Sequence, residues 1–441
     1  MLDRWFHLAE NHTTIQREAL GGLTTFFTLS YIIFMQPALL SVAGMDMGAV
    51  MAATCIASAF SCLIMGLYAN YPIALAPGVG LNVFFTFTVC VGMEVPWQAA
   101  LGAVFISGLL FVSLTALGLR RMIMNIIPQS MKIAIGAGIG LMISLLGFQW
   151  GGVVVDDQAV LIGIGRLTSP SVLVSGIGLI TAIVLLALEV RSAILIGMAV
   201  STFAGLYSGM FTYQGVFAAP PSLAPTFLQM DPLAALKMGF ISIIFVFFIV
   251  DLFDTIGTLV GVAELGGFMK EGELPRANQA LFADAAGTTL GAMLGTSTVT
   301  SYVESSAGIS SGARTGLASV VTAILFIAAL FLSPLVKMLG SGVESVSGAT
   351  VYPAIAPALI IVGYLMIRSV KMIPWDDITE AMPAFLTIVM IAFSFSITEG
   401  IAFGFISYTL LKSVTGKFRD IHPLMAILSV IFVFRYFFMT I

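Results

Sequence analysis

Four carboxylates, Asp251, Asp254, Asp284 and Glu304, stand in stretches that are otherwise apolar. The first two fall in Val250-Asp251-Leu252-Phe253-Asp254-Thr255-Ile256-Gly257-Thr258. Asp251 and Asp254 are three residues apart and Asp254 and Thr258 four apart, so on a helix the three share one face. If that face meets a cavity, its carboxylates can accept N–H groups of a neutral heterocycle and can take and release a proton. At the centre of a bilayer each costs about 2.5–3.5 kcal/mol even on the lenient insertion scale. No Lys or Arg lies at matching depth, so ion pairing does not explain them. A hydrogen bond that packs helices together is the alternative, and it is the preferred reading of Asp284. Glu264 is read as interfacial.

Other chemistries find no residues. His7, His12 and His422 lie outside the apolar stretches, so no nucleophile–histidine–acid arrangement forms there. No His, Cys and Asp cluster has metal-ligand spacing. Cys55, Cys62 and Cys90 are scattered in apolar runs and read as small buried side chains. There is no phosphate-binding loop, no call for a cofactor, and no basic-aromatic patch for nucleic acid. The expectation is not an enzyme but a secondary transporter driven by an ion gradient.

The elements that hold the acids are membrane spans. Of the 441 residues 59% are hydrophobic and 9% charged, where a soluble domain carries about 25% charged. Uncharged runs such as 21–42 and 97–118 reach the roughly 20 residues that cross a bilayer core. The first of them is too long for a signal-peptide core. The spans read as about 21–44, 47–69, 73–93, 97–119, 131–149, 170–189 and 193–212. After a Pro-rich loop come 235–262, 277–295, 298–314, 315–339, 351–368, 381–396 and 398–415, and a last apolar stretch covers 421–440. With the N-terminus in the cytoplasm, 14 of the 18 Lys and Arg fall on the cytoplasmic side. Arg166, Lys237, Lys337 and Arg435 are the four outside.

Two sets of seven spans imply a second copy that enters the membrane upside down. The third span contains Ala76-Pro77-Gly78-Val79-Gly80-Leu81-Asn82-Val83-Phe84-Phe85, poor company for a continuous helix. The tenth contains Thr296-Ser297-Thr298-Val299-Thr300-Ser301-Tyr302-Val303-Glu304-Ser305. It reads as an extended stretch and then a half-helix from about Ser301. Broken spans at corresponding places in two halves mark a transporter's binding site. Small residues used only for tight helix packing are the alternative.

These segments resemble the nucleobase–cation symporter-2 family, within its AzgA-like purine permease branch. The likeness covers nearly the whole chain. It is carried by Gly21-Gly22-Leu23-Thr24-Thr25-Phe26-Phe27, by Ala76 to Phe85, by Asp251 to Gly261, by Thr300 to Ser305 and by Gly400-Ile401-Ala402-Phe403-Gly404. It implies an all-α polytopic fold like uracil permease, 14 spans in two inverted seven-span repeats. The third and tenth would be broken with short extended segments. Residues 1–119 and 235–340 would form a core domain, and 120–234 and 341–441 a gate domain.

The resemblance also implies proton-coupled uptake of a purine nucleobase (hypoxanthine, guanine or adenine) at the inner membrane, with a homodimer allowed through the gate domains. Asp254 and Glu304 match the family's binding acids and would carry the coupling proton. Thr258 stands where many relatives have histidine. Asp251, Asn82, Phe84, Thr24, Thr25, Gln36, Ser301, Tyr302, Val303 and Ser305 complete the expected substrate site, Phe84 as a ring that can stack on the base. One departure is Met35-Gln36-Pro37, where relatives usually read Val-Asn-Pro; another is Val79 and Val83 in place of Met and Ala. Both bear on which purine is chosen. An anion transporter of the same fold, a channel and a membrane-embedded enzyme are the competing classes.

Overall fold

The computed structural model describes residues 5–117, 127–157, 160–237, 241–270, 274–340, 342–345 and 348–438. Helices α1 (Ile15–Leu29) and α2 (Ile32–Val42) make the first span, interrupted at Ser30 and Tyr31. The side chain of Thr14 caps α1, accepting from the Arg17 N–H, which starts the helix six residues before the apolar run. Next come α3 (Met47–Ile64), wound on as π-helix to Ala69, and the strand β1 (Leu75–Pro77). The short helix α4 (Val79–Val83) continues as π-helix to Gly92. Helix α5 (Trp97–Ala116), α6 (Gln129–Trp150), the hairpin β2 (Val154–Asp157) and β3 (Leu161–Ile164), α7 (Pro170–Ala187) and α8 (Ala193–Tyr207) follow.

The second half runs α9 (Pro232–Lys237), α10 (Ile241–Gly266), α11 (Ala277–Leu294), β4 (Val299–Ser301), α12 (Ser305–Ser310), α13 (Gly316–Ala329) and α14 (Ser333–Gly340). Then come the hairpin β5 (Val343–Glu344) and β6 (Thr350–Val351), α15 (Ala356–Ile367), α16 (Ile378–Ser394), α17 (Ile397–Val414) and α18 (Pro423–Phe438). Among the described residues seven helices are long and apolar enough to cross a bilayer, and 79–92, 193–207, 378–394 and 423–437 are shorter apolar helices.

The third element of each half is a strand followed by a half-helix. β1 and β4 pair antiparallel, with Leu75 opposite Ser301, Ala76 opposite Thr300 and Pro77 opposite Val299. The corresponding segments therefore run in opposite directions, as inverted repeats require. The half-helix of the tenth span starts at Ser305, four residues later than the sequence suggests, because Tyr302 to Glu304 form a turn first.

The chain divides into two compact units, Met1–Ala116 with Gly147–Ile361, and Leu117–Leu146 with Val362–Ile441. In the first, small residues let helices approach closely. A Cβ on Gly22 would lie 2.4 Å from the Ala318 carbonyl oxygen, and one on Gly66 would lie 2.6 Å from that of Gly316. In the second, α16 packs on α17, where a Cβ on Gly400 would lie 2.1 Å from the Ile391 side chain. These contacts account for two of the glycine-rich segments that carry the resemblance.

Candidate functional site

The site grows from the crossing of the two broken spans. Beyond the strand ladder, Gly78 N–H donates to the Thr298 carbonyl (3.0 Å) and Tyr302 N–H to the Ala74 carbonyl (3.0 Å). Tyr302 also donates its hydroxyl to the Pro77 carbonyl. Ser305 Oγ accepts from Ala74 N–H at 3.0 Å. A Cβ on Gly78 would meet the Thr300 side chain at 3.0 Å, so the crossing is as close as a glycine allows. Backbone polar groups freed by breaking two helices are thus satisfied by each other and by Tyr302 and Ser305.

Glu304 follows directly, half-buried ahead of α12. Its Oε1 accepts a 2.7 Å hydrogen bond from the Tyr31 hydroxyl, which comes from the break between α1 and α2. α12 packs against α1 and α10. On α10, Asp254 is exposed and Thr258 half-buried. Gly257 and Gly261 continue that open face, and a Cβ on either would meet nothing within 4 Å. Glu304 directly precedes α12, which packs on the helix that carries Asp254, so the two acids stand on neighbouring elements, and no Lys or Arg occurs in α10, β4, α12 or α4.

Asp251 is set differently. It is fully buried and its Oδ2 takes a 3.2 Å hydrogen bond from Thr288 on α11. Asn82 is also fully buried, and neither of its amide atoms has a protein partner. Phe84 packs edge-on against Phe247 of α10, ring centres 5.2 Å apart, and has no exposed surface. Thr24 donates to the Leu20 carbonyl at 2.8 Å, and Ser311 Oγ donates to its hydroxyl at 3.3 Å. Thr25 is buried where a Cβ on Gly308 would touch its oxygen. Gln36 Nε2 donates to Thr296 Oγ1 at 3.0 Å, holding the segment that leads into β4. Ser301 is buried on that strand, and Val303 is 52% exposed next to Glu304.

Asp254, Glu304, Thr258, Thr24 and Val303 are thus the accessible members of the expected set, while Asp251, Asn82, Phe84, Thr25, Gln36, Ser301, Tyr302 and Ser305 are enclosed. Tyr31 is absent from the expected set. A buried tyrosine hydroxyl needs a partner, and in a run as apolar as 29–35 that need was the available signal.

A family profile named for xanthine and uracil permeases, and described as a permease family, matches residues 16–403. The chain belongs to this permease family. The permease is 43% identical over 436 residues to the adenine permease AdeP of Escherichia coli, covering 99% of this chain and 96% of that protein. It is 44% identical over 449 residues to the guanine/hypoxanthine permease PbuG of Bacillus subtilis, covering 99% of each. Among solved structures it is similar to the transmembrane domain of a cyanobacterial bicarbonate transporter, BicA, with TM-score 0.63 at 15% identity over 87% of this chain and 97% of that one. That likeness concerns fold alone. The permease has the inverted seven-span repeat fold of that transporter class, and it is a transporter and not an enzyme.

Proposed function

We propose that this permease takes up a purine nucleobase, hypoxanthine, guanine or adenine, together with protons, by alternating access. The observation that carries the reading is the pair of accessible carboxylates, Asp254 and Glu304, at the crossing of the broken spans, in elements without a cationic side chain. Carboxylates accept the N–H groups that every purine base presents. The relatives named for adenine and for guanine/hypoxanthine support that substrate class. In this reading Glu304 and Asp254 accept N–H groups of the base, Asp254 exchanges the proton with water, and Thr258 and the backbone near Val303 contact the ring edge. Asp251, Asn82, Gln36, Ser301, Tyr302 and Ser305 shape the site from behind. Phe84, edge-on to Phe247, sets the wall and not a stacking surface.

The division into a core (1–119 and 235–340) and a gate (120–234 and 341–441) belongs to the same proposal, as does a second copy of the chain joined through the gate. So do the inner membrane and a cytoplasmic N-terminus, which 14 of 18 basic residues on one side support. An anion transporter of the same fold is the competing reading. It calls for a cationic or neutral site, against which the two carboxylates count.

The test is uptake of labelled hypoxanthine into proteoliposomes under an imposed proton gradient, with adenine, guanine, xanthine and uracil as competitors. Gradient-dependent accumulation blocked by a set of purines and abolished in Glu304→Gln supports the proposal. A folded protein that accumulates no base, or a Glu304→Gln protein that concentrates purine like the native one, removes it.

A further inference from the structure

Behind the accessible carboxylates lies a second acidic cluster. Asp251 and Thr255 are four apart on α10, and Asp284 and Thr288 are four apart on α11, so each helix presents one acid and one hydroxyl on a single face. The bonds are reciprocal. Thr255 Oγ1 donates to Asp284 Oδ1 at 2.6 Å, and Thr288 Oγ1 lies 3.2 Å from Asp251 Oδ2. All four side chains have no exposed surface. Each carboxylate keeps one oxygen, Oδ1 of Asp251 and Oδ2 of Asp284, that has no partner.

We propose that Asp251, Thr255, Asp284 and Thr288 form a sealed seat for the coupling proton, held by the two unpartnered carboxylate oxygens. The proposal rests on the proton-coupled reading above and separates two tasks. Asp254 and Glu304 meet the base, and the buried quartet stores the proton.

Among the described elements that pack on α10 and α11, surrounding charge offers no other compensation. On α10 the remaining titratable groups are Asp254 and Glu264. α5 packs against both helices and carries none; α3 offers only Cys55 and Cys62, and the turn after it Tyr68. β1 and α4 offer none, and beyond β4 come Tyr302 and Glu304. None of these elements contributes Lys, Arg or His. Two buried carboxylates without a cation cannot both stay ionised at tolerable cost, and sharing a proton is the usual solution. Asp254, three residues from Asp251 and exposed, is the group through which that proton reaches water.

The quartet is wired to the substrate site. Thr288 Oγ1 also donates to the Val299 carbonyl (3.0 Å) and accepts from the Val299 N–H (3.0 Å), both on β4. A hydroxyl has one hydrogen to give. When Asp251 is ionised that hydrogen turns to its Oδ2; when the proton sits at Oδ1 the carboxyl is neutral, Oδ2 is a weaker acceptor, and the Thr288 hydrogen goes to the Val299 carbonyl. Loading the seat therefore tightens the hold on the strand that leads into Glu304.

The test compares the native protein with Asp284→Asn in hypoxanthine-loaded liposomes. Exchange of labelled hypoxanthine at equal pH is read beside uphill accumulation under a gradient of about one pH unit, acid outside. Asp284→Asn is expected to keep exchange within about threefold of native and to lose the roughly tenfold accumulation that one proton per base sustains. Loss of exchange together with accumulation makes Asp284 structural and overturns the proposal. Native-like accumulation overturns it, as does accumulation that follows a sodium gradient. Should Asp284→Asn not fold, Thr255→Val takes its place, with Thr255→Ser expected to restore native coupling. Infrared spectra of the purified protein give a readout that needs no substrate. A buried carboxylic-acid C=O band that disappears in Asp284→Asn keeps the seat even if no purine is moved, in which case only the nucleobase reading falls. A native spectrum without that band removes the seat whatever the substrate.

Discussion

The hydroxyl of Tyr31 donates a 2.7 Å hydrogen bond to Oε1 of Glu304, joining the break in the first span to the broken tenth span. One carboxylate oxygen is thereby committed, and Oε2 is left to meet a base. In Tyr31→Phe, Glu304 loses its fixed orientation. Base binding is expected to weaken by about tenfold, the worth of a hydrogen bond to a charged group at about 1.5 kcal/mol. The folded yield should stay native. Calorimetric titration with hypoxanthine checks this, and unchanged affinity would rule out the positioning role.

Gln36, the residue from which the sequence suggests a departure in substrate choice, donates to Thr296 and not to the accessible acids. Gln36→Asn is one methylene too short for that 3.0 Å contact. The variant is expected to lose about 1–3 kcal/mol of stability by leaving buried polar groups unpaired, with the rank order of purine competitors unchanged. Thermal unfolding in detergent and competition uptake measure the two halves of the statement. A reordered set of competitors would place Gln36 in the specificity machinery after all.

Gly22 and Gly176 make a matched pair of helical glycines. A Cβ on Gly22 would lie 2.4 Å from a backbone oxygen of α13, whereas one on Gly176 would meet nothing within 4 Å. Gly22→Ala is expected to cost about 1–3 kcal/mol through overpacking. Gly176→Ala should raise stability by about 0.5–1 kcal/mol through helix propensity. The unfolding midpoints of the two variants should move in opposite directions.

Asp377 caps α16 and lies 2.9 Å from Lys417 Nζ. That ammonium, followed by the Thr379 hydroxyl and N–H, holds the Asp377 carboxyl below the usual carboxylate range. A depressed carboxylate stabilises fully above its unfolded value, about 3.9, and the contribution is lost as pH falls through the folded value. Asp377→Asn should therefore unfold a few degrees below native near neutral pH, and the gap should shrink below about pH 4. A gap independent of pH would show that the cap, and not its charge, matters.

What could be read from the sequence follows from which forces are local. Span positions and the four acids were legible because bilayer burial penalises every charge it encloses. The breaks at Pro77-Gly78 and at Thr296 to Ser301 were legible from backbone preferences. The start of α12 was not, since Tyr302 is pulled into a turn by Ala74 and Pro77, more than 200 residues away. Phe84 looked free to stack because its partner Phe247 lies far along the chain. Hydropathy alone does not say whether 421–440 is a further span or lies partly in the interface. In the structure α18 has 16 residues, about 24 Å of helix. Arg435 near its end pairs with Glu399 in the first turn of α17 at 2.9 Å, so α18 runs back along the whole of α17.

The pairing of β1 with β4 has a consequence for how the protein comes into being. Each strand has three residues, too few to persist alone, and each finds its ladder partner in the opposite half of the chain. During synthesis the first seven spans therefore wait in the bilayer with an open backbone edge until the tenth arrives. If the chain were severed between the halves, the second fragment would hold both carboxylates, Asp254 and Glu304, while Tyr31, which orients Glu304, would stay on the first. A place to bind solute would exist only once the two fragments had interlocked.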